Sequence, residues 1–131
     1  MGDHTMLNSA RVVGFVGTIR PAEARRFYEQ SLGLQLLEES PFALVFASGG
    51  TTIRVQKVDA LVTPPYTSLG WEVIDIAATV QHLASKGVEF QHFAGLPQNE
   101  AGIWLTPDGS QVAWFQDPDG NTLSLTEHVK K

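Results

Sequence analysis

Apolar positions along this chain fall into short alternating runs broken by glycine and proline, and two stretches with helical spacing interrupt them. Phe42-Ala43-Leu44-Val45, running on to Gly49-Gly50 and Thr51-Thr52-Ile53-Arg54-Val55, is matched 70 positions later. The matching stretch is Val112-Ala113-Trp114-Phe115, running on to Asp119-Gly120 and Asn121-Thr122-Leu123-Ser124-Leu125. Upstream of each copy a short strand leads into a helix that stops at Gly33 or Gly87. A period this long exceeds that of solenoid repeats. The chain therefore reads as an α+β fold, two βαβββ modules forming curved mixed sheets around a central cleft.

The pattern predicts a strand over 11–19 that ends at Arg20-Pro21, where proline removes a donor and fixes φ before opening a helix. That helix carries Ala24, Phe27, Tyr28 and Leu32 on its apolar face, with Gly33 as its stop. Strands over 34–39, 42–47 and 51–58 complete module 1, about 11–58. Residues 59–66, with Thr63-Pro64-Pro65, form a linker. Module 2, about 67–128, repeats the plan with a strand over 67–74 and a helix over 76–86 whose apolar face holds Ile76, Val80, Leu83 and Ala84. Strands over 88–93, 103–106, 111–116 and 121–127 follow, with a Gly/Pro/Asn-rich loop over 94–102. Residues 1–10 are a flexible lead-in to a single domain over 11–131.

Strand side chains alternate between faces, and one face of each sheet must pack on a helix. Ile53 and Val55, Leu69, Trp71 and Val73, and Leu123 and Leu125 form the packed sets. The opposite sets are Thr52, Arg54 and Gln56; Ser68, Gly70 and Glu72; Thr122, Ser124 and Thr126. In the first strand Val13, Phe15 and Gly17 join them. These faces line the cleft, unless they are the wet side of ordinary antiparallel sheets. Arg54 suits a carboxylate or other anion, and Glu72 a proton or a cation. The two could instead neutralise each other. Trp104, Trp114 and Phe115 belong mainly to the core, with one or two free to wall a pocket. His92 reads as a rim histidine, His82 and His128 as solvated, and His4 receives no role.

Composition narrows the classes. The 131 residues are 43% hydrophobic and 18% charged, enough to fold without staples. The absence of cysteine excludes disulfides, a thiol nucleophile and thiolate metal sites, and a reducing cytoplasm is the expected location. A formal charge of -5 and no Lys/Arg cluster argue against nucleic acid. The polar first ten residues predict neither signal peptide nor membrane anchor.

The string Phe27-Tyr28-Glu29-Gln30-Ser31-Leu32-Gly33-Leu34 and the string Val112-Ala113-Trp114-Phe115-Gln116-Asp117-Pro118-Asp119-Gly120-Asn121, with the duplication, resemble the vicinal oxygen chelate superfamily. It contains glyoxalase I, the bleomycin and fosfomycin resistance proteins and extradiol dioxygenases. The resemblance covers about 12–127 and implies the fold, an internal cavity and a homodimer. Enzymes of this superfamily usually hold a divalent metal with His and Glu from the central strands of both modules. The corresponding positions in this chain are Val13, Arg54, Ser68 and Ser124. Valine has no donor, arginine is a fixed cation and neutral serine is a poor ligand, so no metal and no cofactor is expected.

The leading expectation is a metal-independent protein that binds a small organic molecule through Arg54, Gln56, Glu72, Thr52, Ser68, Ser124, Thr122, Phe15 and Trp104. An alternative is a lyase, isomerase or dioxygenase with a relocated metal site recruiting Glu72 and His92, or with Glu72 beside Arg54 in acid-base work. A ligand-free structural module is the third reading. No nucleic-acid or membrane partner is expected.

Overall fold

The computed structural model describes residues 5–130, so His4 lies outside the described residues. After a 3-10 turn at Leu7–Ser9, the elements are β1 (Val13–Thr18), α1 (Pro21–Arg26), β2 (Gln35–Glu39), β3 (Ala43–Ser48), β4 (Thr51–Lys57), β5 (Leu69–Glu72), α2 (Ile76–Ser85), β6 (Trp104–Leu105), β7 (Gln111–Gln116) and β8 (Thr122–Glu127). Two four-stranded sheets result, ordered β1-β4-β3-β2 and β5-β8-β7-β6. In each, the first strand of the module runs parallel to the last and the remaining pairs are antiparallel. The two sheets adjoin at β1 and β5. Among the described residues no helix is long and apolar enough to cross a membrane.

The predicted helix over 21–32 is α-helical only to Arg26 and continues as a π-helical turn over Phe27–Ser31, closed by Leu32 N donating to Phe27 O at 2.9 Å. The extra residue keeps Tyr28 on the buried side. Gly33, at φ +77°, then reverses the chain and lets Leu34 N reach Tyr28 O at 3.0 Å. In α2 the Asp75 carboxylate accepts from Ala78 N, the Glu127 carboxylate accepts from Ile76 N, and Ile76, Val80 and Leu83 are buried. Ala84, expected on the same face, is exposed.

The predicted strand over 88–93 does not form. β7 has one free edge, and β6 already takes Gln111 and Val112. Only a single bridge, Phe90 to Phe115, is left for the earlier segment. The loop between them is tied by Gln98, whose amide donates to Gln91 O and Gly102 O and accepts from Phe93 N at 2.7–2.8 Å.

The repeat also slips by one residue at its turns. Phe46 faces Ile53 in module 1, whereas Phe115 faces Leu123 in module 2. β8 is thus equivalent to β4 at a spacing of 70, but β7 is equivalent to β3 at 69. The Gly49-Gly50 turn is shorter by one residue than its counterpart Pro118-Asp119-Gly120, which separates the equivalent pair Asp117 and Asn121. The uniform 70-residue register predicted from sequence is therefore wrong for β7, and Trp114 matches Val45 rather than Leu44.

One core serves both modules, with Tyr28, Phe46, Phe115, Leu44, Ile76 and Leu123 among its fully buried side chains. The Asp117-Pro118-Asp119-Gly120-Asn121 turn clasps module 1 to module 2. Asp117 accepts four hydrogen bonds, from Tyr28 Oη at 2.7 Å, Asn121 Nδ2 at 2.8 Å, Asn121 N at 2.9 Å and Asp119 N at 3.0 Å. Asp119 accepts from Thr18 Oγ1 at 2.5 Å and Ile19 N at 2.9 Å, and Asn121 Nδ2 also donates to Gly17 O. Trp71 Nε1 donates to Ser48 Oγ at 2.9 Å from the other module. The modules thus pair within one chain.

Candidate functional site

Both helices pack on one side of the paired sheets, which leaves the other side free of helix. On sheet 1 this face carries Val13, Phe15 and Gly17 from β1, Thr52, Arg54 and Gln56 from β4, and Ala43, Val45 and Ala47 from β3. Phe15 lies opposite Arg54, Val13 opposite Thr52 and Gly17 opposite Gln56. On sheet 2 the face carries Gly70 and Glu72 from β5, Thr122, Ser124 and Thr126 from β8, and Val112, Trp114 and Gln116 from β7. Gly70 lies opposite Ser124, and Ser124 opposite Trp114. Ser68 precedes β5 and donates its backbone N–H to Thr122 O at 2.8 Å. The alternation read from sequence therefore assigns these faces as found.

Their electrostatics differ from one expectation. Arg54 and Glu72 form no ion pair within 4.0 Å, nor does any other described carboxylate pair with Arg54. Arg54 is half-buried between the Phe15 and Val45 strands, while Glu72 is exposed at the end of β5. A guanidinium with fixed charge and no described side chain claiming its donors can take an anion. Phe15 is 57% exposed and Val13 40%, so the face of β1 stands open beside it.

The concavity on this side belongs to sheet 2. A groove of about 360 Å³ is bordered by Trp114, Gln116 and Thr122 from the sheet, by Tyr66 at the end of the linker, and by Gln91 and Phe93 from the segment that failed to become a strand. Its volume lies within the range of small-molecule sites. The rings are organised: Trp114 meets Phe93 edge-on at 5.4 Å, and its other neighbour Trp104 stacks on it at 6.1 Å. Such a shelf offers an apolar face with polar rims on Gln91, Gln116 and Thr122. Of the residues singled out from sequence, Thr122 borders the groove, Trp104 supports it and Ser124 adjoins it through Trp114. Arg54, Thr52, Gln56 and Phe15 lie on the other sheet.

Glu72 and His92, the pair invoked for a relocated metal or for acid-base chemistry, share no groove. Glu72 borders a hollow of about 320 Å³ with Gly14, Ser48 and Trp71, whereas His92 borders a groove against α2 with Ala77, Val80 and Glu100. Among the described residues no three His, Asp or Glu side chains are grouped to hold a metal ion. At the superfamily's ligand positions Val13 and Arg54 offer no lone pair and Ser68 and Ser124 only hydroxyls. The donor set does not fit the metal that the resemblance implies.

Sequence reasoning missed Phe93, Tyr66 and Gln91, and held Trp114 mainly for the core while leaving it open as a pocket wall. The signal for Trp114 was present, since in Gln111–Gln116 it alternates with Phe115 and must face the other way. Phe115 is fully buried and Trp114 is not.

The sequence profile of the Glyoxalase/Bleomycin resistance protein/Dioxygenase superfamily matches residues 3–125. Among solved structures, a protein assigned to the glyoxalase family from Bacillus anthracis is 18% identical at a TM-score of 0.73, covering 92% of this chain and 96% of that one. A glyoxalase family protein from Enterococcus faecalis is 21% identical at a TM-score of 0.67, covering 89% and 94%. A lactoylglutathione lyase from Agrobacterium tumefaciens is 18% identical at a TM-score of 0.66, covering 91% and 93%. At such identities the likeness is one of fold. No curated protein matches the chain.

Proposed function

The chain belongs to the Glyoxalase/Bleomycin resistance protein/Dioxygenase superfamily, and we propose that it binds a small organic molecule on the helix-free side of its sheets without using a metal ion. The observation that carries this reading is the groove walled by Trp114, Phe93 and Tyr66 with Thr122 at its edge. Aromatic walls with a few polar groups are the usual make-up of ligand sites. Arg54, free of a carboxylate partner on the adjoining sheet, supports an anionic group elsewhere on the ligand. The chemistry of Val13, Arg54, Ser68 and Ser124 supports the metal-independent part.

A homodimer belongs to the same reading. Val12, Val13 and Phe15 are exposed apolar side chains at β1, and a second copy would cover them. Sedimentation at twice the chain mass is expected.

The test is a thermal-shift screen of planar organic acids and heterocycles, followed by isothermal titration of the hits against wild type and Trp114→Ala. Binding by wild type and a loss of at least about tenfold in Trp114→Ala is expected, since ring contacts of this kind add about 0.5 to 1.5 kcal/mol beyond area burial. Hits that bind both proteins equally would remove the groove from the site. A stoichiometric divalent ion in freshly purified protein would overturn the metal-independent part.

A further inference from the structure

On the other side of the sheets, where the helices pack, an apolar pocket of about 180 Å³ opens where the two modules meet. Leu32 and Leu34 wall it from module 1, and Leu83 of α2 with Phe115 and Leu125 of sheet 2 wall it from module 2. Trp71 and Val73 complete the wall and are half-buried, as are the two leucines of module 1, so the pocket is reached from solvent. Phe115 and Trp114, adjacent in β7, thus face different hollows. Ser48 and Thr79 are the uncharged polar side chains on the wall, and both are engaged. Ser48 Oγ accepts from Trp71 Nε1 at 2.9 Å, and Thr79 Oγ1 donates to Asp75 O at 2.8 Å. No cation lines the pocket, and its one charged residue, Glu72, is exposed.

Protein interiors are packed to the density of organic crystals, so a space of this size against the shared core is an exception. Water fills it poorly, because an ordered water needs two to four polar partners and this wall is mostly hydrocarbon with both hydroxyls already bonded. An apolar hollow of about 150 Å³ lined by such side chains is large enough to stay dry and to take up a benzene-sized ring. Charge is disfavoured inside. An anion would meet Glu72, and a cation would give up its hydration against a hydrocarbon wall. Trp71 and Phe115, near-parallel with ring centroids 6.4 Å apart, offer aromatic surface to a guest. We propose that this pocket between the modules is a second binding site, for a small uncharged molecule built on a single ring, separate from the aromatic groove at Trp114.

The experiment follows the urea midpoint of the chain as toluene is added, since a guest that binds only the folded state raises it. Wild type is expected to bind toluene with a dissociation constant of about 1 mM or tighter, within the range open to a ligand of that size. Val73→Phe and Leu34→Phe each put a ring where the guest would lie, and each should weaken toluene at least about tenfold. Both positions are half-buried, so the added ring has room on the solvent side and the variants should fold. An unmoved wild-type midpoint overturns the proposal, and so does a toluene response that survives both substitutions. A response lost in Trp114→Ala and kept in the two phenylalanine variants would place toluene in the aromatic groove and overturn the second site alone. The reading of the aromatic groove stands or falls separately, because the two hollows share no lining residue.

Discussion

Tyr28→Phe removes one oxygen from the middle of the clasp between the modules and nothing else. The phenol is fully buried and donates at 2.7 Å to Asp117, itself only 5% exposed. A hydrogen bond to a charged group contributes about 1.5 to 3 kcal/mol, so a loss near 2 kcal/mol is expected. For a chain of this size that corresponds to a fall in Tm of roughly 5 to 10 °C. Asp117→Asn should cost more, about 3 kcal/mol. Whichever way the new amide is turned, its NH2 confronts either Tyr28 Oη and Asn121 Nδ2 or the backbone N–H groups of Asp119 and Asn121. Relief from burying a charge offsets part of that, since burial already pushes the Asp117 carboxyl up from its ordinary value despite its donors. Urea unfolding of wild type, both single variants and the double variant measures the coupling. The double variant should lose about 1 kcal/mol less than the sum of the two. A Tyr28→Phe loss under about 0.5 kcal/mol, or strict additivity, would refute the clasp as what joins the modules.

The same phenol predicts an alkaline limit. Burial, and next the Asp117 charge, hold Tyr28 protonated far above the ordinary tyrosine value. Its stabilising proton is retained in both states below about pH 10 and lost only from the unfolded chain above it. Stability should therefore fall by about 1.4 kcal/mol per pH unit above pH 10, and urea midpoints of Tyr28→Phe should lack that component of the slope. Arg54→Ala should leave the unfolding free energy within about 0.5 kcal/mol, because among the described residues no carboxylate depends on it. It should weaken a carboxylate-bearing ligand by at least about 1.5 kcal/mol in isothermal titration. Unchanged affinity would remove Arg54 from the site. Replacing Val13→His, Arg54→Glu, Ser68→His and Ser124→Glu together should create affinity for zinc or nickel, measured by titration of the metal alone. Absence of binding would mean that these four positions do not converge as the superfamily's ligands do.

Strand faces and both helices were legible because they rest on local periodicity. Ile53, Val55, Leu123 and Leu125 are buried as alternation required, and Ala24, Tyr28, Ile76 and Val80 as helical spacing required. What failed was decided at long range. The segment 88–93 has an apolar alternation suited to a strand, yet β7 offered it only one bridge. Asp117 and Asp119 read as turn formers. Their main work is done on Tyr28, Thr18 and Ile19, 89 to 101 positions away in the chain, and spacing carries no trace of that. Spacing put Tyr28 in the core correctly but could not name the partner that a buried phenol requires.

Two similar modules present different chemistry because different residues occupy equivalently paired positions. With β7 matched to β3 at 69 positions, Trp114 stands where module 1 has Val45, Ser124 where it has Arg54, and Gly70 where it has Phe15. Across the row of module 1, bulk and charge sit on the two central strands and the outer strand is small. In module 2 the order inverts. Gly70 leaves room for Ser124, whose Oγ lies 2.6 Å from where a Cβ on residue 70 would stand, and the large ring has moved outward to β7. That outward ring is what the segment carrying Gln91 and Phe93 can close over, since it crosses β7 at Phe115. The aromatic groove therefore follows from a tryptophan at the position where module 1 has Val45, on the same face of an equivalently paired strand.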